Sequence, residues 1–118
     1  MEVRLTDREA QVMAVLWIHG PSTVSDVREH LADSLAYTTV LTVLRTLEEK
    51  GFAHHSLEGR AHRYAPSLDR KTAQRSESRA LVQKLFEGSI ELLLTHLVTD
   101  EKLSKGQIRR IQQLLEKR

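Results

Sequence analysis

The chain of 118 residues contains no cysteine, only two prolines and only five aromatic residues. Without cysteine it can form neither a disulfide framework nor a thiolate zinc site, and it has no cysteine nucleophile. So few aromatic residues also give no sign of a small-ligand pocket. The remaining composition, 40% hydrophobic and 29% charged, is that of an ordinary globular protein rather than a disordered one.

Segments for membranes or secretion are missing as well. No apolar run approaches the length of a membrane span. The first ten residues, MEVRLTDREA, have neither the basic leader nor the apolar centre of a signal peptide. A Gly-rich phosphate loop, an HExxH motif and a supported Ser-His-Asp arrangement are also lacking. We therefore expect a cytoplasmic protein that is not an enzyme, needs no cofactor and does not insert into a membrane.

The chain also lacks a strong charge of one sign, because its formal net charge is only +2. Residues 1–66 hold seven Lys/Arg and nine Asp/Glu, whereas residues 67–118 hold eleven and seven. If the first part binds a polyanion, local placement of cations and of helix ends must provide the attraction.

The first half of the chain does carry three helix signals. Thr6 and Glu9 have the spacing of a capping box, and Gly20-Pro21 ends the helix that they begin. Between them runs an apolar stripe that we expect to face the core: Ala10, Met13, Leu16 and Trp17.

Two further helices follow closely. Thr23 and Asp26 form a second capping-box pattern, which begins a helix of about ten residues reaching the 32–34 region. The third helix is YTTVLTVLRTLEEKG, residues 37–51, with Gly51 at its end. Three short helices, the last two joined by a turn, predict a helix-turn-helix unit.

The pattern then changes to two short strand-like segments on either side of Glu58-Gly59-Arg60, closed by Pro66. A three-helix unit followed by a hairpin is a winged helix, although an irregular loop is the alternative for this segment. We predict a mainly α fold with a small β hairpin: a winged-helix DNA-binding domain in residues 1–68 and a helical dimerisation domain in residues 69–118.

Residues 69–118 show leucine-rich helical stripes and no strand signal, with Gly88 expected to mark a kink and Ser104 and Gln107 forming another capping box. About 50 residues are too few to bury such stripes within one chain. We expect a second copy to cover them in a two-fold dimer; packing back onto the first domain is the alternative. The predicted dimerisation residues are Leu81, Leu85, Phe86, Ile90, Leu93, Leu94, Leu97, Ile108, Ile111 and Leu115.

The third helix has an unusual composition, because six of the nine residues from Thr38 to Thr46 are β-branched and four of them are threonines. Its apolar residues fall on one face and its hydroxyls on the other. An ordinary solvated face would be rich in Glu, Lys and Gln instead. Threonine hydroxyls and methyls and an arginine suit the base edges of a major groove, so we predict that this face binds DNA. Its candidate residues are Thr38, Thr39, Thr42, Arg45 and Thr46.

The hairpin adds Arg60, His62 and Arg63 as candidate contacts to an adjacent phosphate or minor groove. With His54 and His55, the segment holds three histidines, which raises the alternative of a metal site. Adjacent residues of a strand point to opposite faces, and no nearby carboxylate or cysteine completes a ligand set. We therefore predict no metal.

Taken together, VMAVLWIHGPSTVSDVREHL, YTTVLTVLRTLEEKG, EGRAHRYAP and FEGSIELLLTHLVTDEKLS resemble the penicillinase-repressor (BlaI/MecI-type) family over nearly the whole chain. The resemblance implies a homodimeric repressor that binds double-stranded, palindromic operator DNA through the threonine helix. It also implies release by a membrane metalloprotease sensor or another protease that cleaves an Asn-Phe bond in the dimerisation region. The matching pair in this chain is His96-Leu97.

A different class of function also fits part of the pattern. A winged-helix module without sequence-specific DNA binding could use the threonine face to bind another protein, which would agree with the slightly acidic first half. Binding to a palindromic duplex distinguishes the two hypotheses.

Overall fold

The computed structural model describes residues 2–118, which form six helices and three short strands in the order α1 (Asp7–His19), β1 (Ser22–Thr23), α2 (Val24–His30), α3 (Tyr37–Glu49), β2 (Ala53–Glu58), β3 (Ala61–Pro66), α4 (Arg70–Leu85), α5 (Ile90–Asp100) and α6 (Lys105–Glu116). The chain divides into two compact units, Met1–Glu77 and Ser78–Arg118. The mainly α fold with a small β hairpin, predicted from the sequence, is confirmed.

Local capping chemistry sets the helix starts in the first unit. The hydroxyl oxygen of Thr6 accepts a hydrogen bond from the Glu9 amide, and the Glu9 carboxylate accepts one from the Thr6 amide. Thr23 and Asp26 repeat this reciprocal pair at the start of α2. Both capping boxes were predicted, because each needs only residues three apart.

α2 is shorter than predicted, since it ends at His30 instead of reaching the 32–34 region. Leu31 has an extended backbone, and its amide closes the helix by donating to the carbonyls of Val27 and Arg28. The Nε of Arg28 donates to the Leu35 carbonyl at 2.9 Å, which holds the connecting loop near the helix.

The prediction for the buried face of α1 was partly wrong. Met13 and Leu16 are fully buried and Trp17 packs against the core, but Ala10 is exposed. Glu9, Val12 and Val15 are buried in its place, so the face is rotated toward Glu9. A carboxylate is tolerated there because Lys50 Nζ lies 2.7 Å from one of its oxygens.

The sheet is three-stranded and antiparallel, in the order β1-β3-β2. β2 and β3 form the predicted hairpin, in which His55 pairs with Tyr64 and Leu57 with His62. The turn between them is Gly59-Arg60, and Gly59 has a φ of 65°, a left-handed conformation that favours glycine. β1 was not predicted. It pairs with β3, and Ser22 lies opposite Tyr64 in this pairing. The outcome is a winged helix.

One core joins these elements, with Val12, Leu16, Val27, Val40, Leu44, Leu47 and Tyr64 essentially inaccessible to solvent. The segment before α1 contributes as well. Val3 is buried, and its amide donates to Ser76 Oγ at 2.7 Å while Ser76 Oγ donates to the Val3 carbonyl at 3.1 Å. The first part of α4 therefore belongs to the winged-helix unit.

α4 and α5 are separate helices, so the kink predicted at Gly88 is wrong. Glu87 and Gly88 both have left-handed backbones, with φ of 49° and 81°, which ends α4. Ser89 then caps α5 by accepting from the Leu92 amide at 3.1 Å. The predicted capping box of Ser104 and Gln107 at the start of α6 is confirmed.

Apolar side chains of this unit remain uncovered within the chain. Among the described residues 90–100 and 105–116, none is buried. Of the ten residues predicted to form a dimer interface, Phe86 and Leu93 are half-buried and the other eight are exposed: Leu81, Leu85, Ile90, Leu94, Leu97, Ile108, Ile111 and Leu115.

Candidate nucleic-acid interface

The start of α3 has free hydrogen-bond donors. Its N-terminal cap is Ala36, which has no side chain able to accept from the first-turn amides. The amides of Thr39 and Val40 reach the Ala36 carbonyl, so the amides of Tyr37 and Thr38 are left at the helix start. Unpaired amides and the helix dipole make this end attractive to an anion. α1 and α2 differ from α3 in this respect, because each begins with a capping box whose side chains accept hydrogen bonds from amides at the helix start.

The two faces of α3 divide as the sequence predicted. Val40, Leu44 and Leu47 are fully buried. On the opposite side Thr38, Thr39, Thr42 and Arg45 are exposed, and Thr46 is half-buried. The structure thus brings four hydroxyls and one guanidinium together on a single accessible surface.

Two of the threonine hydroxyls are oriented by the helix itself. Thr42 Oγ1 donates to the Thr38 carbonyl at 2.9 Å, and Thr46 Oγ1 donates to the Thr42 carbonyl at 3.0 Å. Because the hydroxyl proton is used within the helix, the outward-facing chemistry of Thr42 is a lone pair that can accept and a methyl group. Those groups match an exocyclic base amine and a thymine methyl.

The β2–β3 hairpin, called the wing below, lies beside α3. Arg60 is exposed at its turn, and His62 is exposed on β3. A cavity of about 370 Å³ lies between the wing, α3 and the start of α2. Arg45, Arg60 and His62 line it together with the hydroxyl-bearing residues Thr23, Ser25 and Tyr37. Three nitrogen-bearing side chains and three hydroxyls give this cavity the donors that a phosphate needs.

Arg63, another predicted contact, does not line this cavity. Its Nε donates to Glu58 at 2.6 Å, one of its Nη atoms donates to the Pro21 carbonyl at 3.2 Å, and Asp26 lies 3.8 Å away. The guanidinium is thus shared by two carboxylates and a carbonyl. The hydrogen bonds that Asp26 accepts from the Thr23 amide and hydroxyl, together with the positive charge of Arg63, lower the pKa of Asp26.

A contact between α3 and the wing was not predicted. The carboxylate of Glu48 accepts from Nδ1 and from the backbone amide of His55. Burial raises the pKa of the neighbouring Tyr64 hydroxyl, the negative charge of Glu48 raises it further, and Arg45 opposes both. Sequence reasoning missed this group because its members come from three different elements and share no spacing rule.

The second predicted site, the His96-Leu97 bond, lies inside α5. His96 Nδ1 is 3.6 Å from an Asp100 carboxylate oxygen, and the His96 ring packs against Phe86 at 5.6 Å between centroids. Leu97 is exposed. A protease would have to unwind α5 locally to reach this bond, because a helical backbone does not fit an extended substrate site.

Metal-binding clusters and membrane-spanning helices are both missing from residues 2–118. No three metal-ligating side chains lie close enough together to hold an ion within this range. In the same part of the chain, every helix is too short or too polar to cross a lipid bilayer.

Comparisons with known proteins agree with this geometry. The family model for the penicillinase repressor matches residues 5–117. The penicillinase repressor of Bacillus licheniformis is 26% identical over 115 residues, which cover 96% of this chain and 90% of that protein. The transcriptional regulator BlaI of Mycobacterium tuberculosis is 41% identical over 99 residues, 80% of this chain and 72% of that protein.

Solved structures show the same fold. The monomeric form of Bacillus licheniformis BlaI in complex with the blaP half-operator superposes with a TM-score of 0.52 at 30% identity, over 61% of this chain and 90% of that chain. A mutant MarR from E. coli, at 18% identity, has a TM-score of 0.54 over 96% of this chain and 76% of that chain, which is a likeness of fold alone. Because the family model spans nearly all of its length, this chain belongs to the penicillinase repressor family and is a winged-helix, DNA-binding transcriptional repressor.

Proposed function

We propose that two copies of this chain bind a palindromic operator, each placing α3 in the major groove and its wing on the adjacent backbone. The observation that supports this most directly is the exposed face of α3, where four threonines and Arg45 lie next to an uncapped helix start. That face carries base-reading groups, and the helix start carries donors for a phosphate.

Each candidate residue has a distinct proposed role. Thr39 and Thr42 contact base edges, and Arg45 reads a guanine or binds a phosphate according to the sequence beneath it. Thr38 binds the DNA backbone at the start of α3, and Thr46 forms the C-terminal end of the DNA-binding face of this helix. Arg60 and His62 bind phosphate from the wing. Arg63 instead joins the two strands of the wing through Glu58 and fastens the wing to the turn before β1 through the Pro21 carbonyl.

The homodimer is proposed from the second unit. Eleven large apolar side chains on α4, α5 and α6 are exposed within residues 2–118, and an isologous interface between two copies would bury them together. A two-fold dimer presents two copies of α3 to two half-sites, which accounts for a palindromic operator. With DNA as ligand, we place the dimer in the cytoplasm.

Selection from a pool of random duplexes tests this function. We expect recovery of an inverted repeat that the purified protein binds with a steep salt dependence, because cationic side chains displace counterions from phosphates. Binding of the recovered duplex at two or more salt concentrations gives the slope. If no duplex is enriched, and the protein binds every sequence equally weakly at low salt, the proposal is wrong.

Release of repression by proteolysis is the proposed induction route. A cut between His96 and Leu97 removes part of α5 and all of α6, and with them much of the apolar face. The winged-helix unit would remain folded but monomeric. A membrane metalloprotease sensor is the proposed protease partner. Immunoblots of cells exposed to a β-lactam should show a fragment ending near residue 96; persistence of the intact chain during induction would exclude this route.

A further inference from the structure

Glu48 joins α3 to the wing. Each of its carboxylate oxygens lies 2.7 Å from Nδ1 of His55, and one of them also accepts from the His55 backbone amide at 3.2 Å. Both side chains are about one-third exposed, at 32% and 34%. One carboxylate thus fixes both the backbone and the ring of a residue on β2.

The His55 ring continues the connection to β3. It stacks on the ring of His62, with centroids 4.6 Å apart and planes inclined by 15°. His62 in turn lines the cavity that also contains Arg45 and Arg60. The contacts therefore run from Glu48 through His55 to a side chain at the proposed phosphate position.

An acidic residue on this side of the molecule would oppose DNA binding if its charge were all that mattered. Its neighbour Glu49 provides the comparison, because the exposed side chain of Glu49 makes no hydrogen bond or ion pair with the other residues in the range 2–118. If charge alone mattered, removal of either carboxylate would tighten binding to DNA. Physiological salt would screen this effect for phosphates more than about 8 Å from the carboxylate.

We propose that Glu48 is a positioning residue for operator binding: it holds the wing against α3 through His55, so that His62 and Arg60 meet the DNA backbone together with Arg45. This inference rests on the proposed function. It predicts that loss of an acidic residue weakens the binding of a polyanion, the reverse of the charge effect.

Glu48→Ala and Glu49→Ala form a matched pair, since each removes one negative charge and one glutamate from the last turn of α3. On the duplex recovered by selection, we expect Glu48→Ala to weaken binding roughly three- to tenfold, the scale of one net hydrogen bond. Glu49→Ala should bind as tightly as the unmodified protein or slightly more tightly.

The salt dependence separates positioning from a general loss of stability. If Glu48→Ala releases the wing from the backbone, the slope of log K against log salt becomes shallower by about one for each phosphate that the wing no longer binds. Hydroxyl-radical footprints should lose protection only at the flanks of each half-site. A smaller fraction of folded protein would lower the apparent affinity without changing the slope or the footprint.

His55→Phe tests the same connection from the other side, because phenylalanine retains a ring to stack on His62 but removes the Nδ1 bond to Glu48, leaving only the one from the backbone amide. If Glu48 acts through His55, the double variant should bind no more weakly than Glu48→Ala alone. Equal binding by Glu48→Ala and Glu49→Ala, with unchanged slopes, would overturn the inference and leave the proposed function intact. Failure of the unmodified protein to select any duplex would overturn the proposed function instead.

Discussion

A threonine inside a helix can donate its hydroxyl proton to the carbonyl four residues earlier, and Thr42 does so at 2.9 Å. This bond gives a physical reason for a threonine at this position of α3. It holds the methyl and the acceptor oxygen of Thr42 in a fixed orientation, and under the proposed function a fixed group loses less entropy when it binds a base.

Two substitutions at Thr42 divide its proposed contact into two parts. Thr42→Val keeps the methyl and removes the oxygen, whereas Thr42→Ser keeps the hydroxyl and removes the methyl. If the oxygen accepts from a base amine, Thr42→Val should cost about 1–3 kcal/mol on the selected duplex and Thr42→Ser much less. Fluorescence anisotropy with the selected and a scrambled duplex measures both. Wild-type affinity in both variants would remove Thr42 from the interface.

Glu9 shows how a buried charge is kept in the winged-helix unit. Burial alone would raise the pKa of its carboxyl, but hydrogen bonds from Lys50 and from the Thr6 amide, and the positive charge of Lys50, outweigh burial and lower the pKa below 4.5. A group whose pKa is lower in the folded state stabilises the fold above its ordinary pKa and loses that contribution as the pH falls.

Glu9→Gln should therefore be less stable than the unmodified protein at pH 7, by about 1–3 kcal/mol for the loss of charged hydrogen bonds. The difference should narrow as the pH falls below 4.5 toward the lowered pKa, because the wild-type carboxylate then becomes protonated too. Urea unfolding at pH 7 and at a pH below 4.5 measures it. Asp7→Asn serves as the control, because Asp7 is an exposed acid in the same turn. An equal loss of stability in Asp7→Asn would show that Glu9 contributes no more than an exposed acid does.

At the scale of elements, α3 ends where Gly51 takes a φ of 83°, which turns the chain into β2. The space around a Cβ at this position is open, so the conformation and not crowding requires glycine. Gly51→Ala should destabilise the first unit by about 1–2 kcal/mol, the cost of a left-handed backbone for an L-residue.

Gly106 provides a control, because its replacement by alanine should stabilise a helix, whereas Gly51→Ala should be destabilising. It lies in the first turn of α6 with an ordinary backbone, and an added Cβ would meet only ordinary contacts. Gly106→Ala should leave the first unit unchanged and favour α6 by up to about 1 kcal/mol. Thermal unfolding followed by circular dichroism measures both variants. A Gly51→Ala protein as stable as the unmodified one would contradict the conformational explanation.

Elements defined by neighbouring residues were predictable, and those defined by distant partners were not. The capping boxes at Thr6, Thr23 and Ser104 need only three-residue spacings. β1 exists only because Tyr64 and Arg63 lie beside it. Likewise, nothing in the sequence near Arg63 shows that Glu58 and the Pro21 carbonyl occupy its guanidinium. The exposed face of α3 was predictable, but the residues that hold the wing beside it were not.

At the scale of the whole molecule, a net charge of +2 cannot by itself draw the protein to DNA. Each copy offers only a few cations at the proposed interface, so one half-site should bind weakly. Joining two copies makes the second half-site contact effectively intramolecular, which raises affinity without any new contact. Repression would then depend on the apolar surface of the second unit.

Leu94→Asp tests this dependence. Leu94 is 48% exposed, so a charge there should spare the fold of the single chain and oppose burial between two copies. We expect monomers in analytical ultracentrifugation and operator binding weaker by on the order of 10²-fold. The adjacent exposed position supplies the control, Thr95→Asp, which adds the same charge without removing an apolar side chain. Full operator affinity in a Leu94→Asp protein shown to be monomeric would mean that one winged helix suffices, and that the exposed leucines serve another purpose.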